Sequence, residues 1–275
     1  WRREHDAPVP IVGLLLTAAA GGVLIAGHDV PDGLGLGLAL LAGGGALCQL
    51  VRLGPALNAA LAVPGAWLVV SVVENPGNQW VSWVLFGFVV LGAVLVSDFD
   101  RHYAERGYGP ILLAISGAGM LATLPDTEEI LVVFGAALPL VLLAWPKAFA
   151  YLGAAGIFPA LGLLAWVIAV GGRGRESAVI GAVACLGLLV IEPVVRRWRA
   201  TTVLDRLSAT WSQALFVAGA QAIVVLLAAR VVGLRETPAA ALIIAITLAT
   251  ATGLALDRLA SQCSRGCPWF GGAAG

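Results

Sequence analysis

The residues best suited to chemistry are concentrated in one polar stretch, residues 97–110, with the sequence SDFDRHYAERGYGP. Asp98 and Asp100 form a D-x-D pair, and carboxylate oxygens are the hard ligands that divalent cations prefer. Such a pair can hold a metal ion against a diphosphate, so these two acids are the candidate metal ligands. The alternative is a solvated loop between two helices, in which the acids are balanced by Arg101 and Arg106.

A second charged connection begins after residue 195 and contains four more arginines. A guanidinium can bind a phosphate through two parallel hydrogen bonds, and basic clusters beside membrane helices attract anionic lipid headgroups. We therefore expect membrane lipids with anionic headgroups as partners, although ordinary topology signalling explains the same charges. The six arginines of this predicted lipid site are Arg101, Arg106, Arg196, Arg197, Arg199 and Arg206.

Polar residues inside the apolar runs are few, and such residues often mark function in membrane proteins. Glu192 is the best placed acid, but it lies about one helical turn before Arg196 and can simply pair with it. Gln213 and Gln221 either line a polar path or hydrogen-bond between helices. Gly33 and Gly37 form a GxxxG pattern, which predicts close helix packing.

Cofactor chemistry is not indicated by the remaining residues. Cys263 and Cys267 are two thiols without a nearby histidine, and a structural zinc site would need two further ligands. We expect no cofactor. The formal net charge is zero, so electrostatics offers no basis for binding nucleic acid.

The composition predicts a membrane protein. Charged residues are 12% of the 275-residue chain, hydrophobic residues are 60%, and the mean hydropathy is +0.94. A soluble domain carries about 25% charged residues. The apolar residues recur in runs near the length of about 20 that crosses a bilayer. We predict an all-α, polytopic transmembrane helix bundle.

Ten spans are predicted, arranged as five hairpins in one domain over residues 1–256, with a cytoplasmic polar tail over residues 257–275. Their bounds follow the apolar runs between polar or Gly/Pro-containing turns. The predicted spans are residues 9–27, 34–53, 56–73, 80–96, 111–124, 130–145, 148–170, 178–195, 207–229 and 238–256.

The arginines predict the orientation. If the connections alternate sides, one side has twelve basic residues and the other has four, Arg173, Arg175, Arg230 and Arg235. The positive-inside bias then puts both termini in the cytoplasm. Fifteen arginines against one lysine, with abundant Ala, Gly and Val, indicate a GC-rich bacterial genome and hence the inner membrane.

Three functions fit these features. The first is a small carrier or flippase for a lipid-like or amphipathic substrate. The second is a non-catalytic membrane subunit that packs against protein partners in a larger complex. The third is a membrane enzyme acting on a lipid-linked phosphate, with Asp98, Asp100 and the arginines as its site. Ten short, Gly/Ala-rich helices with both ends inside favour the first, and sparse ionisable chemistry fits the second. We assign no catalytic residue.

Overall fold

The protein is helical throughout the described residues, and these contain no strand. The computed structural model describes residues 31–51, 54–72, 79–102, 152–172 and 175–183, and single positions within 15–23, 120–124 and 240–258. For residues 96–102 it describes the backbone but not the side chains. The helices are α1 (Asp32–Val51), α2 (Pro55–Ser71), α3 (Gln79–His102) and α4 (Gly153–Gly171). Residues 176–183 are also helical. The all-α class is confirmed here, whereas the ten spans and five hairpins stay predictions.

The break between α1 and α2 follows from two residues. Gly54 is the N-cap of α2 and Pro55 occupies its first turn, where the missing N–H of proline costs nothing because that donor has no intrahelical partner. Inside a helix proline removes a hydrogen bond, yet α2 continues through Pro64 and α4 through Pro159.

Two helices have bounds that differ from those of the predicted spans, and the span boundaries themselves stay predictions. The fourth span was predicted to end at residue 96, but α3 continues to His102, because residues 97–102 contain neither glycine nor proline to stop it. The first part of the polar stretch is therefore helix rather than loop. The seventh span was predicted to begin at residue 148, but α4 begins at Gly153, whose φ of 65° is a left-handed conformation that glycine adopts at little cost.

The centre of the described structure is α4. Sixteen of its nineteen residues are buried, and α1, α2 and α3 all contact it. A helix that is apolar on every side is enclosed either by protein or by lipid, and α4 is enclosed by protein. Its first turn is tied to α1, where the Gln49 side-chain oxygen accepts a hydrogen bond from the Ala155 N–H at 3.5 Å. Thr17 donates to the Gly156 carbonyl at 3.3 Å.

Glycines bring α1 and α2 into close contact, as the GxxxG pattern predicts. A Cβ on Gly37 would lie 2.8 Å from Val69 Cγ2 and 3.2 Å from the Gly65 carbonyl oxygen, and one on Gly44 would lie 2.9 Å from the Leu61 carbonyl oxygen. Gly37 of α1 contacts Val69 of α2, whereas Gly44, further along α1, contacts Leu61, which comes earlier in α2. The two helices are therefore antiparallel.

Two of the helices, α1 and α4, are long and apolar enough to cross a membrane. A 20-residue helix is about 30 Å long, which matches the hydrocarbon thickness of a bilayer. In α4 this apolar surface is enclosed by protein: 89% of its most apolar 18-residue segment is buried, whereas the corresponding fraction for α1 is 33%. The exposed large apolar residues of α1 are Leu36, Leu40, Leu47, Leu50 and Val51.

Candidate functional site

The residues predicted as a site are not brought together within the described structure. Arg101 lies in the last turn of α3, and its side chain is among those not described. The other members lie outside the described residues: Arg106, Glu192, Arg196, Arg197, Arg199, Arg206, Gln213 and Gln221. Their roles stay predictions.

The candidate metal ligands Asp98 and Asp100 lie on the last turns of α3. Because a helix turns about 100° per residue, positions two apart lie on different faces of it. This arrangement differs from the solvated loop in which the pair was expected. Within the described part of the chain, no group of three or more His, Cys, Asp or Glu residues could hold a metal ion.

A different candidate site is formed by a groove between α2 and α3, which we call the aromatic groove. Its volume is about 260 Å³. Four of its residues come from α3 at helical spacing, and three come from the end of α2. The lining residues are Trp67, Val70, Ser71, Gln79, Ser82, Trp83 and Phe86.

Helix periodicity explains why these residues share one groove. Residues three, four and seven apart lie on one face of a helix. Trp67 and Ser71 are therefore neighbours on α2, and Gln79, Ser82 and Phe86 are neighbours on α3. The two helices contact each other, and the link between them is only residues 72–78. Pairing of Trp67 with Trp83, and of the end of α2 with the start of α3, shows that they are antiparallel.

Three aromatic rings form one wall of the groove. The Trp67 and Trp83 ring centroids are 5.9 Å apart, with an interplanar angle of 53°. The Phe86 centroid is 6.1 Å from each, at 84° to Trp67 and 88° to Trp83. Such edge-on and tilted pairs are the favoured geometry of aromatic contacts. Trp67 is 52% exposed and Trp83 is 60% exposed, so part of each ring remains available to a ligand.

The polar groups of the groove lie near the helix ends. Ser71 is in the last turn of α2, where its hydroxyl donates to the Leu68 carbonyl at 3.0 Å, and its oxygen can still accept a hydrogen bond. Gln79 and Ser82 are in the first turn of α3, and the amide of Gln79 can both donate and accept. The groove is thus apolar along its rings and polar at one end, and none of its lining residues in the described part of the chain is charged.

Sequence reasoning missed this groove, although part of its signal was present. Trp80, Trp83 and Phe86 recur at intervals of three, which marks an aromatic face on one helix. The partner ring, Trp67, is sixteen residues before Trp83, and no local pattern connects the two. Only the antiparallel register of α2 and α3 brings them together.

Some hydroxyl groups elsewhere form hydrogen bonds within their own helix. Thr247 donates to the carbonyl of Ile243 in its own helix, at 2.7 Å. Both residues are exposed. This intrahelical bond lets a hydroxyl lie on an apolar surface without a partner from another helix.

Comparison of the chain with protein-family models, with curated proteins and with solved structures finds no match.

Proposed function

We propose that this chain is an integral membrane protein that carries a lipid-like or amphipathic molecule, and that the aromatic groove is part of its path. The observation that carries the proposal is the division of the groove into an aromatic wall and a polar end. An amphipathic molecule has the same division, and binding pockets of small molecules are mostly apolar with a few polar groups that fix orientation.

The position of the groove supports the same function. Its tryptophans are exposed beside other exposed apolar residues, such as Val63 on α2 and Val84 and Leu91 on α3. A molecule dissolved in the bilayer would therefore reach the groove without passing through water. Tryptophan is also the residue that membrane proteins concentrate where hydrocarbon meets headgroups, which suits a site for the polar end of a lipid.

The inner-face lipid site remains part of this proposal. Arg101 lies in the last turn of α3 and Arg106 comes after that helix in the sequence; the arginines from Arg196 to Arg206 would join them if the two connections are neighbours. By the arginine count the aromatic groove lies towards the outer side of the membrane and these arginines towards the inner side. The substrate of a carrier must enter from one side and leave on the other, and these two surfaces are the candidates for the two entrances.

Transport can be tested in proteoliposomes with a fluorescent lipid in both leaflets. A membrane-impermeant reductant bleaches only the outer leaflet, so additional bleaching reports movement across the bilayer. We expect bleaching beyond that of protein-free vesicles, with a smaller rate for Trp83→Leu. Trp80→Leu is the matched control, because Trp80 is exposed on the same helix and does not line the groove.

A second candidate, the non-catalytic membrane subunit, is favoured by a stripe on α1. Leu36, Leu40, Gly43, Leu47 and Leu50 are all exposed and are spaced four, three, four and three residues apart. This spacing is that of helix-packing seams. Purification in mild detergent separates the two candidates: a stoichiometric protein partner together with vesicles that show no lipid movement would favour the subunit.

A further inference from the structure

The aromatic groove has the geometry of a cation site, and we propose that it binds a quaternary ammonium group, such as the one that ends a choline-type lipid headgroup. This proposal rests on the proposed function for its biological role, because it names the class of amphipathic molecule carried. The binding itself depends only on the groove.

Ring geometry is the first reason. The three centroids form a nearly equilateral triangle, with sides of 5.9, 6.1 and 6.1 Å. The centre of this triangle lies about 3.5 Å from each centroid, and a cation is attracted by a ring within about 6 Å of its centroid. A cation placed somewhat above the centre is therefore within range of all three rings at once. The planes are strongly inclined to one another, as the walls of an aromatic cage are.

Charge complementarity is the second reason. None of the described residues that line the groove is charged, so these residues offer a bound anion no countercharge, whereas a cation is attracted by the negative faces of the rings. The end of α2 and the start of α3 carry opposite partial charges, so the helix dipoles favour neither a cation nor an anion.

The chemistry of the ammonium is the third reason. A primary ammonium has three N–H donors that need acceptors, whereas a quaternary ammonium has none and presents methyl groups. An aromatic wall solvates methyl groups well, and quaternary ammonium recognition is a characteristic use of cation–π contacts. The volume of about 260 Å³ is just below the usual range of pockets for whole small molecules, about 300–1,000 Å³. It therefore suits a headgroup whose chains lie outside.

The test compares choline with 3,3-dimethylbutan-1-ol, which has the same shape but a carbon atom in place of the nitrogen. The full chain is purified in a maltoside detergent, since phosphocholine detergents would compete, and binding is measured by equilibrium dialysis with radiolabelled ligands. We expect saturable binding of choline, at least fivefold tighter than that of the neutral alcohol. Equal affinities, or no saturable choline binding, would overturn the proposal.

Variants locate the site. Trp67→Leu and Trp83→Leu should each weaken choline binding about five- to tenfold, as expected for the loss of one strong cation–π contact. Trp83→Phe keeps a ring and should lose less. Trp80→Leu, outside the groove, should bind choline as the unchanged chain does. An unchanged affinity in both groove leucine variants, with their folding verified by thermal melting, would contradict the assignment.

The outcome is separable from that of the proposed function. Choline binding without lipid movement in proteoliposomes would refute the carrier and leave the cation site in place. Lipid movement without choline binding would refute the cation site and leave the carrier in place.

Discussion

Three consecutive glycines in α1 show how one residue type serves different purposes at the residue scale. A Cβ on Gly43 would meet no atom within 4 Å. On Gly44 it would lie 2.9 Å from the Leu61 carbonyl oxygen of α2, and on Gly45 it would lie 2.9 Å from the Ala155 Cα of α4. Because successive residues turn about 100° around a helix, these glycines face the outside, α2 and α4 in turn.

Alanine substitutions at adjacent positions should therefore have opposite effects. Gly43→Ala adds a methyl group in open space and removes backbone freedom from the unfolded chain, so it should stabilise the protein by up to about 1 kcal/mol. Gly44→Ala forces α1 away from the α2 backbone and should cost about 1–3 kcal/mol. Thermal unfolding of the detergent-purified variants, followed by size-exclusion chromatography, measures both.

The adjacent positions control for each other, because they share the helix, the substitution and the local sequence. A Gly44→Ala variant as stable as Gly43→Ala would show that the close contact between α1 and α2 is wrong.

Among the described helices, the exposed apolar surface of α1 is the best indication of whether the protein is surrounded by lipid or by water. Only one third of the most apolar segment of α1 is buried, whereas nearly all of the corresponding segment of α4 is buried. An enclosed apolar helix fits any environment, but an exposed one fits a bilayer better than water. The exposed leucines of α1 therefore have a specific consequence for substitution.

Arginine at the middle of α1 should prevent membrane integration. Leu40 is exposed near the centre of the helix, and Leu50 is exposed at its end. Leu40→Arg should cost about 2.5–3.5 kcal/mol of insertion free energy, while the arginine of Leu50→Arg can reach the interface with its long side chain. The measurement is the fraction of full-length protein in alkali-washed membranes, which should fall for Leu40→Arg and stay near normal for Leu50→Arg.

The opposite result has a clear meaning. Surface substitutions in a water-soluble protein usually change stability by less than about 0.5 kcal/mol. If Leu40→Arg behaves like Leu50→Arg, and both are soluble without detergent, α1 does not face lipid.

The elements were predictable to different degrees. Apolar length predicted α1, α2 and α4, and the Gly54-Pro55 pair marked the boundary between the first two within two residues. The end of α3 was not predictable from hydropathy, because polar residues can continue a helix as long as their backbone groups can form its hydrogen bonds. The aromatic groove was not predictable because it depends on the register of two helices. Hydropathy also does not locate the start of α4, where Gly153 has a left-handed φ.

Helix directions connect the described elements to the whole molecule. Gly45 of α1 faces Ala154 and Ala155 of α4, and Gly162 of α4 faces Leu38 of α1, so these two helices are antiparallel. Since α1 is also antiparallel to α2, α2 and α4 run in the same direction. The ten-span topology makes these helices spans two, three and seven and requires the same directions. The number of spans between α3 and α4 would then be even.

The last prediction places chain positions on the two sides of the membrane. In a variant without its four native cysteines, single cysteines are introduced in place of Gly54, Asn75 and Arg175. Because α2 and α4 are parallel, the residues after both should lie on one side, and Gly54, before α2, should lie on the other. The positive-inside bias makes that second side cytoplasmic. A membrane-impermeant maleimide added to intact cells should therefore label positions 75 and 175, and should label position 54 only after the membrane is opened.

Glu128→Cys and Arg199→Cys extend the test beyond the described helices: position 128 should react from outside and position 199 only from inside. Labelling of positions 75 and 175 from opposite sides would contradict the parallel arrangement of α2 and α4, whereas labelling of positions 128 and 199 from the same side would refute the ten-span topology alone.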